Sequence, residues 1–125
     1  MLKSLEIFRD ENGTLSTLNK NLGFAAKRFF YVTGVKKLEW RGDHAHRNNK
    51  QILVCVKGKI LVLLDDGECV RGHTLNEGEY IFVDSMVWDK QQYLTGNDIL
   101  LSICSTEYDK DDYIKSYDQF LEELK

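Results

Sequence analysis

The chain has 125 residues, 42% of them hydrophobic and 30% charged, and we expect one globular domain that spans residues 1–125. Its net charge of −3 arises from 17 basic and 20 acidic residues spread along the sequence, which predicts no nucleic-acid partner. No apolar run approaches the length of a membrane span and the three cysteines lack CxxC spacing, so we expect no membrane contact and a reducing, cytoplasmic compartment.

Short runs of β-branched and aromatic residues follow one another along most of the chain. Proline is absent, so Gly, Asn and Asp supply the turns, beginning with Glu11-Asn12-Gly13. The runs that we predict as strands are residues 28–32, 52–56, 60–64, 80–83 and 99–103. Many short strands between turn signals predict an all-β sandwich or barrel.

The last twenty residues have a different periodicity. Apolar residues recur there at helical spacing, at Tyr113, Ile114, Tyr117, Phe120, Leu121 and Leu124. Asp109 is expected to cap this helix, and Asp111 and Asp112 would then lie near the positive end of the helix dipole. We therefore predict one C-terminal α-helix on the outside of the barrel. Its acidic residues and tyrosines are expected to have structural and not catalytic roles.

Two histidines one residue apart form the most informative motif. On a strand, side chains at His44 and His46 point to the same face, which in a barrel strand is the lumen. Gln51 follows five residues after His46, and Gly58 follows seven residues later. This spacing resembles the first cupin motif, in which an HxH pair precedes an acidic residue and a hairpin glycine. The resemblance implies a cupin jelly-roll barrel, and with the helix predicted above the expected fold is a cupin jelly-roll barrel with a C-terminal helix.

The residues at the metal-ligand positions of cupins differ here from the usual set. Metal-binding cupins typically use three histidines and a glutamate, whereas this chain has His44, His46, Gln51 and Asp89 at those positions. A neutral amide replaces the carboxylate, and a carboxylate replaces one imidazole, which weakens a divalent site. We predict no metal and no cofactor. Two His and one Asp also match a facial triad for iron, so a metal-dependent cupin enzyme stays open as an alternative.

A longer stretch of sequence resembles one cupin family in particular. Residues 41–68 are similar to the signature of the dTDP-sugar 3,4-ketoisomerases, whose core reads RGxHAHK, then Gln-x-Leu, a glycine hairpin and an Asp-Asp-Gly turn. Residues 27–35 and 108–120 match as well, so the resemblance spans nearly the whole chain. Two positions depart from it: Arg47 replaces the usual lysine, and Asp89 stands where many relatives have histidine.

This resemblance implies an activity and a partner. Members of the family convert a dTDP-4-keto-6-deoxyhexose to its 3-keto isomer without a metal. Their products are precursors of 3-amino-3,6-dideoxy sugars found in antibiotics and in surface polysaccharides such as O-antigens. They are usually homodimers that exchange strands. We accordingly expect a dTDP-linked keto-deoxy-sugar as the substrate and a homodimer as the assembly.

The reaction requires a base whose pKa is near neutral, and histidine is the side chain whose unperturbed pKa is closest to that value. A base removes the C3 proton beside the C4 ketone, which gives an enediol, and a proton is then delivered to C4. We assign His44 as the base and His46 as the residue that orients the substrate or shuttles protons. The reverse assignment stays open. A non-catalytic cupin that only binds a sugar is a further alternative.

Five more residues are candidates for the site. Tyr31 would donate to the developing oxyanion, or pack in the barrel wall. Arg41 is the first candidate to bind the diphosphate, because a guanidinium fork matches phosphate oxygens, and Arg28 is the second. Gln51 would bond a sugar hydroxyl or fix a histidine tautomer. Trp88 would stack on the thymine or the sugar, or belong to the core.

Overall fold

The computed structural model describes residues 2–125, which form mainly β-strands with one C-terminal helix. The strands are β1 (Lys3–Ser4), β2 (Glu6–Asp10), β3 (Gly13–Thr17), β4 (Arg28–Val32), β5 (Trp40–His46), β6 (Gln51–Lys57), β7 (Lys59–Asp65), β8 (Val70–Asn76), β9 (Glu79–Val83), β10 (Trp88–Tyr93), β11 (Ile99–Cys104) and β12 (Tyr113–Ile114). A 3-10 turn covers Lys110–Asp112, and helix α1 covers Tyr117–Glu123. The five strands predicted from sequence are thereby confirmed to within one or two residues.

Two five-stranded antiparallel sheets build the barrel. The first has the order β1-β9-β6-β11-β4, and the second has the order β12-β5-β10-β7-β8. Strands β2 and β3 form a separate hairpin. The facing sides of the two sheets enclose a core of alternate strand residues, namely Leu53, Cys55, Ile60, Val62, Leu75, Ile81, Val83, Tyr93 and Leu100. The prediction of an all-β barrel with a C-terminal helix is confirmed.

The hairpin between β6 and β7 depends on Gly58. Its φ of 87° lies in the left-handed region, and a Cβ there would lie 2.1 Å from Asp98 Oδ1. Asp98 accepts hydrogen bonds from the backbone N–H groups of Lys59, Thr95 and Gly96, so its side chain ties two loops together. Only glycine leaves room for this carboxylate, which explains the glycine in the motif.

The C-terminal helix is shorter than the sequence predicted. Ser116 caps α1 by accepting from the backbone N–H of Gln119 at 3.3 Å, and Asp109 instead caps the 3-10 turn. Tyr113 and Ile114 are not helical, because they pair with His46 and Ala45 of β5. A Ser-x-x-Gln capping box at Ser116 is the sequence signal for this start. Tyr113 and Ile114 therefore extend the second sheet as β12 instead of belonging to a helix on its outside.

No helix in the described part of the chain has the length and hydrophobicity needed to cross a membrane.

Candidate active site

A bulge in β5 brings Arg41 to the same side as the two histidines. Opposite β10, His44 pairs with Asp89 and Gly42 with Lys90, so the register shifts at Asp43. Gly42 and Asp43 have φ values of 86° and 65°, both in the left-handed region. In a regular strand, residues three apart would face opposite sides. Because of the bulge, Arg41 and His44 both line the lumen.

The lumen contains a small cavity of about 80 Å³ between the two sheets. Its apolar side consists of Phe30, Val32, Leu53 and Leu100. Its polar groups come from β5, β6 and β10, and they are Arg41, His44, Gln51, Asp89 and Gln91. A few convergent polar groups in an otherwise apolar cavity are typical of a small-molecule site.

The imidazole of His44 is neutral at physiological pH. Burial, and then the neighbouring His46, lower the pKa of His44 to about 4, against a smaller opposing effect of a hydrogen bond to the backbone of Gly42. The ring centroids of His44 and His46 are 5.0 Å apart and the rings are nearly perpendicular, at 88°. The two imidazoles therefore share one face of the strand, as the HxH spacing predicted.

His46 is held by a carboxylate that the sequence did not reveal as a site residue. Its Nδ1 donates to Asp112 Oδ2 at 3.0 Å, and Asp112 also accepts from the backbone N–H groups of Asn48 and Asn49 at 2.7 and 3.3 Å. A proton on Nδ1 leaves the lone pair on Nε2, and this buried Nε2 has no hydrogen-bond partner within residues 2–125. Burial lowers the pKa of His46, while Asp112 opposes that shift.

Tyr113 packs against both imidazoles. Its ring centroid lies 4.4 Å from that of His46 and 5.0 Å from that of His44. Burial raises the pKa of Tyr113, and the nearby Arg28 opposes this effect. The expectation from the sequence was that the C-terminal tyrosines are structural. The contacts of Tyr113 with both histidines make it a further candidate for the site.

Tyr31, the tyrosine that was predicted for the site, lies elsewhere. Its side chain is 66% exposed on the outer face of the first sheet. Its neighbours Phe30 and Val32 line the cavity, and side chains alternate along a strand, so Tyr31 must point away. The prediction that Tyr31 donates a proton in the lumen of its own chain is therefore wrong, because its side chain lies on the outer face of the sheet.

Trp88 also lies outside the cavity. On β10, Asp89 and Gln91 face the lumen, so Trp88 faces outward and packs against Phe120 of α1 with a centroid distance of 5.6 Å. Its Nε1 donates to Asp43 Oδ1 at 3.0 Å. The predicted stacking of Trp88 on substrate is thus wrong for this site, and its alternative role in the core is the one observed.

Gln51 lines the cavity, whereas Arg28 does not line it and lies close to Tyr113 and His46. Arg28 shares a strand face with Phe30 and has its guanidinium carbon 5.7 Å from that ring. Its buried Nε has no hydrogen-bond partner within residues 2–125, and its charge contributes to the lowered pKa of His46. Gln51 is buried and donates through Nε2 to Ser102 Oγ at 3.0 Å. The tautomer of His46 is fixed by Asp112 and not by Gln51.

Asp89 occupies the lumen beside His44. The side chain is 1% exposed, and burial raises its pKa to about 7, with the hydrogen bond from Gln91 opposing this shift. Gln91 Nε2 donates to Oδ1, while Oδ2 is buried without a partner in the described residues. Within residues 2–125, no three His, Cys, Asp or Glu side chains converge into a cluster that could hold a metal ion.

Comparisons with known proteins identify similar chains. The model of the family described as "FdtA: WxcM-like, C-terminal" matches residues 1–125. A TDP-4-oxo-6-deoxy-alpha-D-glucose-3,4-oxoisomerase of Aneurinibacillus thermoaerophilus is 36% identical over 114 residues, which cover 89% of this chain and 82% of that protein. These matches cover the same length as the resemblance noted in the sequence.

Solved structures of 3,4-ketoisomerases are also similar to this chain. The sugar 3,4-ketoisomerase QdtA of Thermoanaerobacterium thermosaccharolyticum, in complex with TDP, superposes with a TM-score of 0.90 at 28% identity, over 98% of this chain and 92% of that one. A 3,4-ketoisomerase of Helicobacter canadensis gives a TM-score of 0.92 at 28% identity, over 99% and 96% of the two chains. The predicted cupin-type jelly roll is confirmed by these likenesses.

Proposed function

The chain belongs to the WxcM-like FdtA family, and from that membership and the imidazole pair in the lumen we propose that it is a sugar-nucleotide 3,4-ketoisomerase. The proposed substrate is dTDP-4-keto-6-deoxy-D-glucose, since the curated relative is named for that sugar nucleotide. The product is a dTDP-3-keto-6-deoxyhexose, a precursor for 3-amino-3,6-dideoxy sugars. Residues 1–125 form one cupin domain in this proposal.

The observation that carries the proposal is a neutral imidazole, His44, in a small cavity beside a positioned second imidazole. A base with a depressed pKa is unprotonated throughout the neutral range, so it is available to accept the substrate proton. His44 removes the C3 proton, which the adjacent C4 ketone acidifies, and later returns a proton to C4. Asp112 fixes the ring orientation and tautomer of His46, so its Nε2 keeps a lone pair that no group among residues 2–125 binds.

Two further kinds of group complete the proposed site. Tyr113, which contacts both imidazoles, and Arg28 beside it supply a hydroxyl and a positive charge where oxygen gains charge in the enediolate. Arg41 at the cavity binds the diphosphate, because a guanidinium pairs with two phosphate oxygens at once. Gln51 bonds a sugar hydroxyl from the opposite sheet.

Incubation with dTDP-4-keto-6-deoxyglucose in deuterated water tests the proposal. We expect deuterium in the sugar and a 3-keto product, both identified by NMR, and neither with the His44→Asn variant. Binding without label or isomer would leave a non-catalytic sugar-binding cupin. Label at C3 and C5 with an epimerised product would indicate a 3,5-epimerase. Stoichiometric metal in the purified protein, with loss of turnover on chelation, would favour the metal-dependent alternative.

We also propose a homodimer, which the unpaired strand edges support. Strand β4 ends the first sheet, and its free edge has no strand partner in the described residues. Phe29 and Tyr31 project from its outer face with 70% and 66% exposure. In the part of the chain that the structure describes, strands β2 and β3 pair only with each other, although they carry exposed Phe8 and Leu15. Exchange of the hairpin between two copies would pair the free edges and cover this apolar face.

Light scattering after gel filtration tests the assembly. We expect twice the chain mass for the wild type and a smaller mass for Phe29→Asp. Val70→Asp is a matched control, since Val70 is 62% exposed on the other sheet and its replacement should leave the dimer intact. A monomeric wild type at micromolar concentration would contradict the proposed dimer.

A further inference from the structure

The carboxyl group of Asp89 is buried in the lumen with only one of its oxygens satisfied. It lines the same cavity as His44, and the two residues are directly opposite each other on β10 and β5. Oδ1 accepts from Gln91 Nε2, whereas Oδ2 has no partner among residues 2–125. An unsatisfied carboxyl oxygen in a buried site is unfavourable unless a ligand uses it or it holds a proton.

The neighbours of Asp89 determine which oxygen carries a proton. The Tyr93 hydroxyl donates to Gln91 Oε1 at 3.4 Å, which orients the Gln91 amide so that its Nε2 points to Asp89 Oδ1. A Cβ at Gly42 would lie 2.8 Å from this Nε2, so glycine leaves the space that the amide occupies. Oδ1 is thus an acceptor, and the hydroxyl of the neutral acid is on Oδ2.

We propose that Asp89 is a catalytic residue that carries the oxygen-bound proton between the two oxygens of the enediol, while His44 carries the carbon-bound proton. This inference rests on the proposed ketoisomerase function. It assigns two separate proton paths to two residues on neighbouring strands. A 3,4-isomerisation needs both, because one hydrogen moves from C3 to C4 and one proton moves from O3 to O4.

The two half-reactions balance without any other reactant. In the first, His44 takes the C3 proton, the C3–H electron pair forms the C3=C4 bond, and the carbonyl pair moves to O4, which takes the proton from Asp89 Oδ2. In the second, the Asp89 carboxylate takes the O3 proton, an O3 electron pair forms the C3=O bond, and the C3=C4 pair takes a proton at C4 from His44. Both residues end in their starting states.

The surroundings of Asp89 suit this exchange. The titratable and charged groups that line the lumen around it are His44 and Arg41 on β5, Tyr93 on its own strand and Cys55 on β6. Burial raises the pKa of Asp89 to about 7 and lowers that of His44 to about 4. Between these values the acid is protonated and the base is free. We therefore expect kcat to be highest from about pH 4 to 7 and to fall above that range as Asp89 ionises.

The Asp89→Asn variant tests the assignment, since the amide fills the same space but cannot transfer a proton. We expect kcat to fall about 10²-fold or more, KM to change little, and the decline of kcat above neutrality to disappear. Asp84→Asn, on the exposed turn before β10, is the matched control and should behave as the wild type. Asp89→Asn with full kcat and the wild-type pH profile would overturn the assignment.

The wild type supplies a second test that needs no variant. If its kcat does not decline between pH 7 and 9, Asp89 is not the proton carrier, whether or not Asp89→Asn folds. A wild type that forms no 3-keto product at any pH contradicts the proposed function itself. A wild type that isomerises, with Asp89→Asn equally active, contradicts only the role of Asp89.

Discussion

Two buried carboxyl groups adjoin the imidazole pair, Asp112 at His46 and Asp89 opposite His44, and they have different numbers of hydrogen-bond partners. Asp112, 6% exposed, accepts from His46 and from two backbone N–H groups. Among residues 2–125, Asp89, 1% exposed, accepts from Gln91 alone and has one oxygen without a partner. A carboxylate surrounded by donors orients its neighbour, whereas a carboxyl group with few donors holds a proton that it can transfer. The number of donors thus distinguishes a positioning residue from a proton carrier.

In the proposed mechanism, both carboxyl groups act in a reaction that His44 begins. Replacement of His44 by Asn should therefore have the largest effect, a loss of kcat of about 10³-fold or more, because the amide is not a base. Affinity for dTDP, measured by calorimetry, should stay close to that of the wild type. Turnover that survives in His44→Asn would leave His46 as the base.

The two carboxyl groups should also differ in their effect on stability. The pKa of Asp89 is raised from 3.8 to about 7, so the unfolded chain loses its proton at a lower pH than the folded one. The folded state is consequently destabilised as pH rises from about 4 to 7, and that penalty persists above 7. At 1.36 kcal/mol per pKa unit, its upper bound is about 4 kcal/mol.

Asp89→Asn should for this reason be more stable than the wild type at pH 8 and lose the advantage at pH 4. Urea unfolding at the two pH values measures the difference. Equal stabilities at pH 8 would show that the burial of Asp89 carries no penalty.

Asp112→Asn should change stability in the opposite direction. Its amide nitrogen would face His46 Nδ1 and the Asn49 N–H, which leaves a buried donor without an acceptor and reduces stability by roughly 1–3 kcal/mol. The same change shifts the proton of His46 to Nε2, and we expect kcat to fall about 10²-fold. Nitrogen NMR shifts of His46 report the tautomer. Asp111→Asn, an exposed neighbour, is the control, and equal kcat values in the two variants would contradict the positioning role.

The sequence predicted those parts of the site that depend on strand periodicity. His44 and His46 are two residues apart on one strand, so their common face followed from geometry alone. Arg41 was identified by its chemistry, although its face depends on a bulge that no periodicity reveals. The strand 28–32 has apolar side chains on both faces, so nothing in the sequence distinguishes the lumen side, and Tyr31 was placed wrongly.

Long-range contacts account for the residues that the sequence analysis missed. Asp112 contacts His46 across 66 positions, and its helix-like surroundings in the sequence concealed the short strand that carries Tyr113. Gln91 belongs to a strand, but its role depends on the orientation of its amide by Tyr93. Contacts of this kind can be predicted only when the register of β5 against β10 and β12 is known. The folded structure shows that register, and the local sequence pattern does not.

Arg41 should have the smallest effect, and its effect should be on binding. It lines the cavity from an exposed position at the bulge, so it can contact the diphosphate while the chemistry proceeds at His44. Arg41→Ala should raise KM about 10-fold, and kcat should change much less. The reason is that a charge-assisted hydrogen bond to the substrate is lost in the ground state and the transition state alike. Arg41→Lys keeps the charge without the planar fork, so its KM should lie between those of the wild type and Arg41→Ala. Added salt should raise KM more in the wild type than in Arg41→Ala, because it screens an exposed charge. If kcat falls more than KM rises, Arg41 acts on the developing oxyanion, and the separation of binding from proton transfer at Asp89 and Asp112 no longer holds.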